Sequence, residues 1–98
     1  HDGTWIQVKG DQDAIIVDSG DMLQNLTNGL FQSTTHRVVN PKDSNQRRYS
    51  MPMFVHPRNE IALTPRDEFI EQTGGLANYA SIQAGDFLQQ RLKEIGLI

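Results

Sequence analysis

The sequence predicts a mainly β domain that is closed by a C-terminal helix. Four runs, at 4–8, 14–17, 31–39 and 47–55, are rich in β-branched, aromatic or hydroxyl residues, which favour strands. Polar, proline-containing or glycine-containing turns separate them, and the pattern becomes helical only near the C-terminus. We therefore expect one domain over residues 1–98, with core strands between about residues 4 and 55 and the closing helix at about 81–95.

The apolar runs set the expected core. Ile15, Ile16 and Val17 are β-branched and compact, so they favour a strand over a helix. Pro52 cannot donate to a ladder of hydrogen bonds, so its part of the fourth run is expected at an edge or a bulge. The adjacent Met53-Phe54 pair is expected to be buried.

A short helix is predicted between the second and third strands. Asp18 and Asp21 offer side-chain oxygens that can cap its start. Met22 and Leu26 follow at helical spacing, and Asn28-Gly29 supplies a C-terminal stop. In the closing helix one apolar stripe is formed by Phe87, Leu88, Leu92 and Ile95, and Gly96 ends it.

Composition excludes several classes of function. The formal net charge is -3 and the nine basic residues form no stripe, so we expect no nucleic-acid partner. The absence of cysteine excludes disulfides and thiolate metal sites, and it is consistent with the cytoplasm, where we expect the protein. No apolar run approaches the roughly 20 residues that span a bilayer, so we expect no membrane partner.

Three side chains could bind a metal or a ligand. His36 lies mid-strand, and imidazole is the commonest protein metal ligand, although a single strand histidine is more often structural. Arg48 and Ser50 share one face of their strand, where a guanidinium beside a hydroxyl suits a carboxylate. His1 and Asp2 are adjacent, and a turn before Gly3 explains them better than a metal site.

Together these residues resemble one known family. The stretches at 2–8, 14–24, 27–29, 33–41 and 48–54, and above all the His36-Arg37-Val38 segment followed by Arg48-Tyr49-Ser50, are similar to the isopenicillin N synthase-like branch of the Fe(II)/2-oxoglutarate-dependent oxygenases. The resemblance covers roughly residues 1–66, and the closing helix is compatible with it.

The resemblance implies a fold, a reaction and three site residues. The family fold is a double-stranded β-helix, or jelly roll, of eight core strands, of which this chain would supply about the last four. His36 matches the distal histidine of the iron site, whereas Arg48 and Ser50 match the pair that binds the far carboxylate of 2-oxoglutarate. The expected function is oxidation of a small organic substrate with Fe(II), 2-oxoglutarate and O₂.

The sequence also departs from the family pattern. The His-x-Asp motif that supplies the other two iron ligands is absent. We therefore expect these 98 residues to be inactive by themselves and to need the N-terminal half of the domain, or copies of themselves, as partners. Without that half, the four strands lose their partners, and a hairpin of 31–39 with 47–55 is the expected re-pairing.

Two other functions remain open at this point. Some members of the family are oxidases that do not use 2-oxoglutarate and yet keep an Arg-x-Ser pair. The other alternative is a non-catalytic β-sandwich binding module, in which His36 would point outward or Arg48 would lack a carboxylate site. The substrate and the outcome of the reaction are not encoded in any motif that we recognise.

Overall fold

The computed structural model describes residues 2–40, 42, 45 and 47–98, and its regular elements are three short helices. Helix α1 spans Asp21–Leu26, α2 spans Asp67–Gln72 and α3 spans Ala84–Glu94. Within this described part, β pairing is limited to one isolated bridge between Ala62 and Gln83. The prediction of a mainly β fold is therefore wrong: the residues that the structure describes form neither a partial jelly roll nor a β-sandwich.

The predicted strands do not form because a β-strand needs a neighbouring strand with which to exchange backbone hydrogen bonds. Among the described residues of 3–19 and 32–57 there is one backbone–backbone hydrogen bond, from Ala14 N to Asp11 O at 3.0 Å, and it belongs to a turn. The expected hairpin of 31–39 with 47–55 is also absent from the described residues, since two strands alone are marginally stable. The radius of gyration is 16.7 Å, against about 13 Å for a compact domain of this length.

Helix α1 forms where the sequence predicts it, but its start is not capped as expected. The N-cap residue is Gly20, and no side chain there makes a capping hydrogen bond, so the predicted role of Asp18 and Asp21 as caps is wrong. The predicted stop is confirmed: Asn28 has φ 53° and Gly29 has φ 85°. Gly29 N donates to Gln24 O at 2.8 Å, which closes the helix end.

Helix α2 was not predicted from the sequence. Its six residues are too few to show an apolar stripe, although two weaker signals were present. Asp67 and Glu68 place negative charge in the first turn, where the helix dipole favours it. Gly74 and Gly75 follow with φ 102° and 82°, and Gly75 N donates to Ile70 O at 2.8 Å.

The buried core lies where α1, the segment at 61–65 and α3 meet. Leu63, Ala84 and Phe87 are its buried apolar residues, with Met22 and Ile82 packed against them. Two backbone hydrogen bonds fix this contact, from Leu63 N to Ile82 O at 2.7 Å and from Ala84 N to Ile61 O at 2.8 Å. The expected burial of Met53 and Phe54 is wrong, because both side chains are 86% exposed.

Buried amides join α1 to the C-terminal part of the chain. Asn25 Nδ2 donates to Leu63 O and, at 3.1 Å, to Ala80 O. Asn28 Nδ2 donates to Leu76 O at 2.8 Å, and the Oδ1 atom of Asn28 accepts a hydrogen bond from Asn78 N at 2.7 Å. These bonds hold α1 against residues 63–80. They also explain why Asn25 and Asn28 are buried, whereas the residues of the predicted strands are mostly exposed.

None of the described helices has the length and apolar character that crossing a membrane requires.

Candidate functional site

Helix α1 positions the segment that contains His36. Gln24 Oε1 accepts a hydrogen bond of 2.7 Å from Ser33 N, and Ser19 Oγ donates to Gln32 O at 2.8 Å. These two contacts attach Ser19, just before α1, and Gln24, within α1, to the beginning of the 31–39 segment. His36 therefore lies three residues beyond an anchored point, although no sheet supports it.

The His36 imidazole is exposed and has two acceptors beside one of its nitrogens. Nδ1 lies 2.9 Å from Thr34 O and 3.5 Å from Asp18 Oδ2. The exposed fractions of the His36 and Asp18 side chains are 75% and 65%. Among the residues that the structure describes, Nε2 has no hydrogen-bond partner, so this nitrogen can accept a metal.

A second contact lies next to His36. The Arg37 guanidinium stacks over the Trp5 ring at 4.6 Å from the ring centroid, a cation–π geometry. This contact brings the first predicted strand, 4–8, beside the third, 31–39. Because Arg37 is engaged with Trp5, it is a weaker candidate for ligand binding than Arg48.

Arg48 and Ser50 are exposed, as a ligand-binding pair requires. Within residues 2–40, 42, 45 and 47–98, no hydrogen bond or ion pair joins either of them to His36 or to each other. The three predicted site residues are therefore not assembled into one pocket here. Their shared interior face depends on a sheet that the described residues do not form, so their assignment stays a prediction.

The donor set can be tested against the requirements of Fe(II). A facial triad needs three protein ligands and open positions for other molecules. No group of three His, Asp or Glu side chains in the described part of the chain could hold a metal ion. His36 fits the role of one ligand, because its Nε2 has no partner in the described part of the chain, but the described residues do not complete an iron site.

Two further features do not add a ligand. The Asp2 carboxylate accepts a 2.9 Å hydrogen bond from Thr4 N, which lowers the pKa of Asp2 and supports the turn expected there. His1 lies outside the described residues, as do four residues between the predicted strands at 31–39 and 47–55: Pro41, Asp43, Ser44 and Gln46. An apolar cavity of about 360 Å³ adjoins the core and is lined by Met22, Leu23, Leu26, Val55, His56, Pro57 and Leu63.

Asp18 lies beside His36, a contact that the sequence did not reveal. It was interpreted as a helix cap because it precedes α1, whereas its carboxylate lies beside His36 instead. A separation of 18 residues carries no periodic signal that could have linked the two side chains.

Comparison with known proteins identifies the family. The family model described as "2OG-Fe(II) oxygenase superfamily" matches residues 1–57, which include His36, Arg48 and Ser50. 2-Oxoglutarate-dependent dioxygenase 11 of Oryza sativa subsp. japonica is 37% identical over 90 residues, covering 91% of this chain and 24% of that protein. A feruloyl CoA ortho-hydroxylase of Ipomoea batatas is 36% identical over 86 residues, covering 88% of this chain and 23% of the hydroxylase.

A third relative comes from the same family. 1-Aminocyclopropane-1-carboxylate oxidase 1 of Oryza sativa subsp. japonica is 30% identical over 88 residues, covering 90% of this chain and 27% of that oxidase. The chain thus spans about a quarter of the length of these curated relatives. No solved structure matches the chain. The match over residues 1–57 is more than half of the sequence, and the chain therefore belongs to the 2OG-Fe(II) oxygenase superfamily.

Proposed function

We propose that these residues form the C-terminal half of the catalytic domain of an Fe(II)- and 2-oxoglutarate-dependent dioxygenase that oxidises a small organic substrate. Within the superfamily we place the chain in the isopenicillin N synthase-like branch. The observation that carries the proposal is the family match over residues 1–57, because it includes every residue that we assign to the site. The relatives named as a dioxygenase and a hydroxylase support it.

His36 is the iron ligand in this proposal. Its imidazole is exposed and, within the described residues, Nε2 has no hydrogen-bond partner, while Ser33 and Gln24 anchor its segment on α1. We expect the two other protein ligands to come from outside these 98 residues, because the sequence lacks the His-x-Asp motif that supplies them in the family. When bound, Fe(II) in this family activates O₂ for oxidation of the substrate.

Arg48 and Ser50 bind the far carboxylate of 2-oxoglutarate. A guanidinium can donate two parallel hydrogen bonds to a carboxylate, and a hydroxyl two residues along the same face adds a third donor. This pair fixes one end of the cosubstrate and so orients its keto-acid end. Both side chains are exposed, so a ligand can reach them.

The second candidate is an oxidase of the same family that binds a carboxylate but does not consume 2-oxoglutarate. The observation that favours it is the 30% identity to 1-aminocyclopropane-1-carboxylate oxidase 1. The Arg-x-Ser pair is compatible with both candidates, because it recognises a carboxylate rather than the keto acid as a whole.

The test is cosubstrate turnover by the full-length protein that contains this chain. The protein would be purified without metal, reloaded with Fe(II), and incubated with 2-oxoglutarate and O₂ while succinate formation is measured. Fe(II)-dependent succinate formation is expected for the dioxygenase. Failure to convert 2-oxoglutarate, combined with Fe(II)-dependent O₂ uptake, would favour the oxidase, and failure of both would refute the assignment to either.

A further inference from the structure

The carboxylate of Asp18 is the feature of the site that no motif explains. It is not a helix cap, since the N-terminus of α1 has no side-chain capping bond. Among the described residues its charge contact is with His36, at 3.5 Å from Oδ2 to Nδ1. At this length the contact is electrostatic rather than a well-formed hydrogen bond.

Both neighbours of His36 Nδ1 are acceptors. The nearer one is the Thr34 carbonyl oxygen at 2.9 Å, and the second is the Asp18 carboxylate. Neither oxygen can donate a hydrogen bond, so Nδ1 must carry the ring proton for these contacts to be favourable. The lone pair of the neutral ring is then on Nε2, which is the nitrogen without a partner in the described structure.

We infer that Asp18 is a positioning residue for His36, holding the proton on Nδ1 and the ring in the orientation that presents Nε2 to a metal. This inference rests on the proposed role of His36 as an iron ligand. Metal-binding histidines commonly donate their other ring N–H to a carboxylate or a carbonyl, which sets the tautomer and the ring orientation. Asp18 and Thr34 supply one acceptor of each kind.

The local structure explains how Asp18 reaches His36. Asp18 precedes α1, and its neighbour Ser19 donates from Oγ to Gln32 O at 2.8 Å. The hydrogen bond from Ser33 N to Gln24 Oε1, at 2.7 Å, holds the same segment from the other side. The segment at 31–36 is therefore held by Ser19, next to Asp18, and by Gln24 of α1, which brings the carboxylate beside the ring.

The experiment uses the full-length, metal-free protein and four variants: Asp18→Ala, Asp18→Asn, His36→Ala and the matched control Asp13→Ala. Asp13 is an exposed aspartate five residues earlier that makes no side-chain hydrogen bond with the described residues. Fe(II) affinity is measured anaerobically by calorimetry. The tautomer of His36 is read separately from ¹⁵N NMR of the histidine-labelled protein, and circular dichroism checks that each variant folds.

We expect His36 to be protonated on Nδ1 in the wild type, and Asp18→Ala to weaken Fe(II) binding about 10-fold or more. Because the contact is electrostatic, Asp18→Asn should also lose part of the affinity although it keeps an acceptor oxygen, and Asp13→Ala should retain all of it. An Nε2-protonated ring in the wild type would overturn the inference. So would unchanged Fe(II) affinity in Asp18→Ala, or a loss in Asp18→Ala as complete as that in His36→Ala, which would indicate that Asp18 is itself a ligand.

The same set of variants separates this inference from the proposed function. If His36→Ala binds Fe(II) as tightly as the wild type, the iron-ligand assignment fails, whatever Asp18 does. If His36→Ala loses binding while Asp18→Ala does not, the ligand assignment stands and the positioning role of Asp18 is refuted.

Discussion

The side-chain amide of Asn28 donates a 2.6 Å hydrogen bond to the hydroxyl of Thr73, 45 residues further along the chain. Thr73 in turn donates to Phe69 O at 2.7 Å, so the bond links the end of α1 to the last turn of α2. Asn28 also contacts Leu76 O and Asn78 N, and these hydrogen bonds together form a polar connection. Asn28, at its centre, is only 2% exposed. Together with the Asn25 bonds and the packing of Met22 on the core, this connection joins α1 to the C-terminal part of the described structure.

The first prediction concerns this polar connection. In the full-length protein, Asn28→Ala should lower the free energy of unfolding by about 1–3 kcal/mol, because it leaves buried donors and acceptors without partners. Chemical denaturation monitored by circular dichroism measures the change. The control is Asn40→Ala at an exposed position, which should have little effect. A loss no larger than the control's would contradict the role assigned to Asn28.

The second prediction concerns the start of α3. A Cβ atom on Gly85 would lie 2.8 Å from Asn59 Cβ and 3.3 Å from Asn59 Cα, closer than atoms can pack without a shift. Gly85→Ala should therefore destabilise the protein by about 1–3 kcal/mol, although alanine is the better helix former. Thermal unfolding measures the effect. Gln90→Ala, at an exposed position of the same helix, is the control, and a stability gain in Gly85→Ala would show that this close approach is not maintained.

The third prediction concerns the iron ligand. In the full-length protein, His36→Ala should abolish Fe(II)-dependent turnover, since two protein ligands do not hold the facial arrangement that the iron needs. Metal analysis and succinate formation are the measurements. His56→Ala is the matched control, because His56 is also exposed and the hydrogen-bond contact of its ring among the described residues is with Pro57 O, at 3.1 Å. Full activity in His36→Ala would refute the ligand assignment.

The fourth prediction separates the two adjacent arginines. Arg48→Ala should raise the 2-oxoglutarate concentration needed for half-maximal turnover more than it harms Fe(II) binding. The loss of one partner of a charged bond to a carboxylate is worth roughly 2–5 kcal/mol when the bond is buried. Arg47→Ala, one position earlier and on the opposite face of an extended segment, should be close to wild type. Equal effects of the two substitutions would indicate a general charge effect instead of a specific carboxylate site.

The fifth prediction concerns the 98-residue chain by itself. Met51 and Met53 are 97% and 86% exposed, and Ile15 is 90% exposed, so the predicted strand regions offer unpaired apolar surface. We expect the chain to associate at micromolar concentration, as measured by analytical ultracentrifugation. The double substitution Met51→Lys/Met53→Lys should reduce association, while Leu97→Lys, at an exposed position in the C-terminal tail, should not. A monodisperse monomer would contradict the prediction.

Residue patterns close together in the sequence determined the two helices that were predicted. The Asn28-Gly29 pair ends α1 because both residues adopt a positive φ, which asparagine and glycine tolerate best. The apolar stripe that includes Phe87, followed by Gly96, predicts α3, and the structure has this helix at Ala84–Glu94. Gly96 has φ 76° just after the helix end. Helix signals are local, since the hydrogen bonds of a helix join residues four apart.

For the site, too, the sequence determined only what residue types and their spacing can show. The pattern of His36, Arg48 and Ser50 was sufficient for a family resemblance, and the superfamily is confirmed by the match over residues 1–57. The site roles of these three residues remain predictions. Their residue types and spacing do not specify where the rest of a ligand set lies.

Only the tertiary structure decided which distant residues meet. The predicted strands at 4–8, 14–17, 31–39 and 47–55 have strand-forming compositions, but a sheet also needs neighbours that accept and donate their backbone hydrogen bonds. The contact of Asp18 with His36 and the burial of Asn28 against Thr73 are likewise invisible to periodicity. They depend on how the chain folds back on itself, because their partners are separated by 18 and 45 residues.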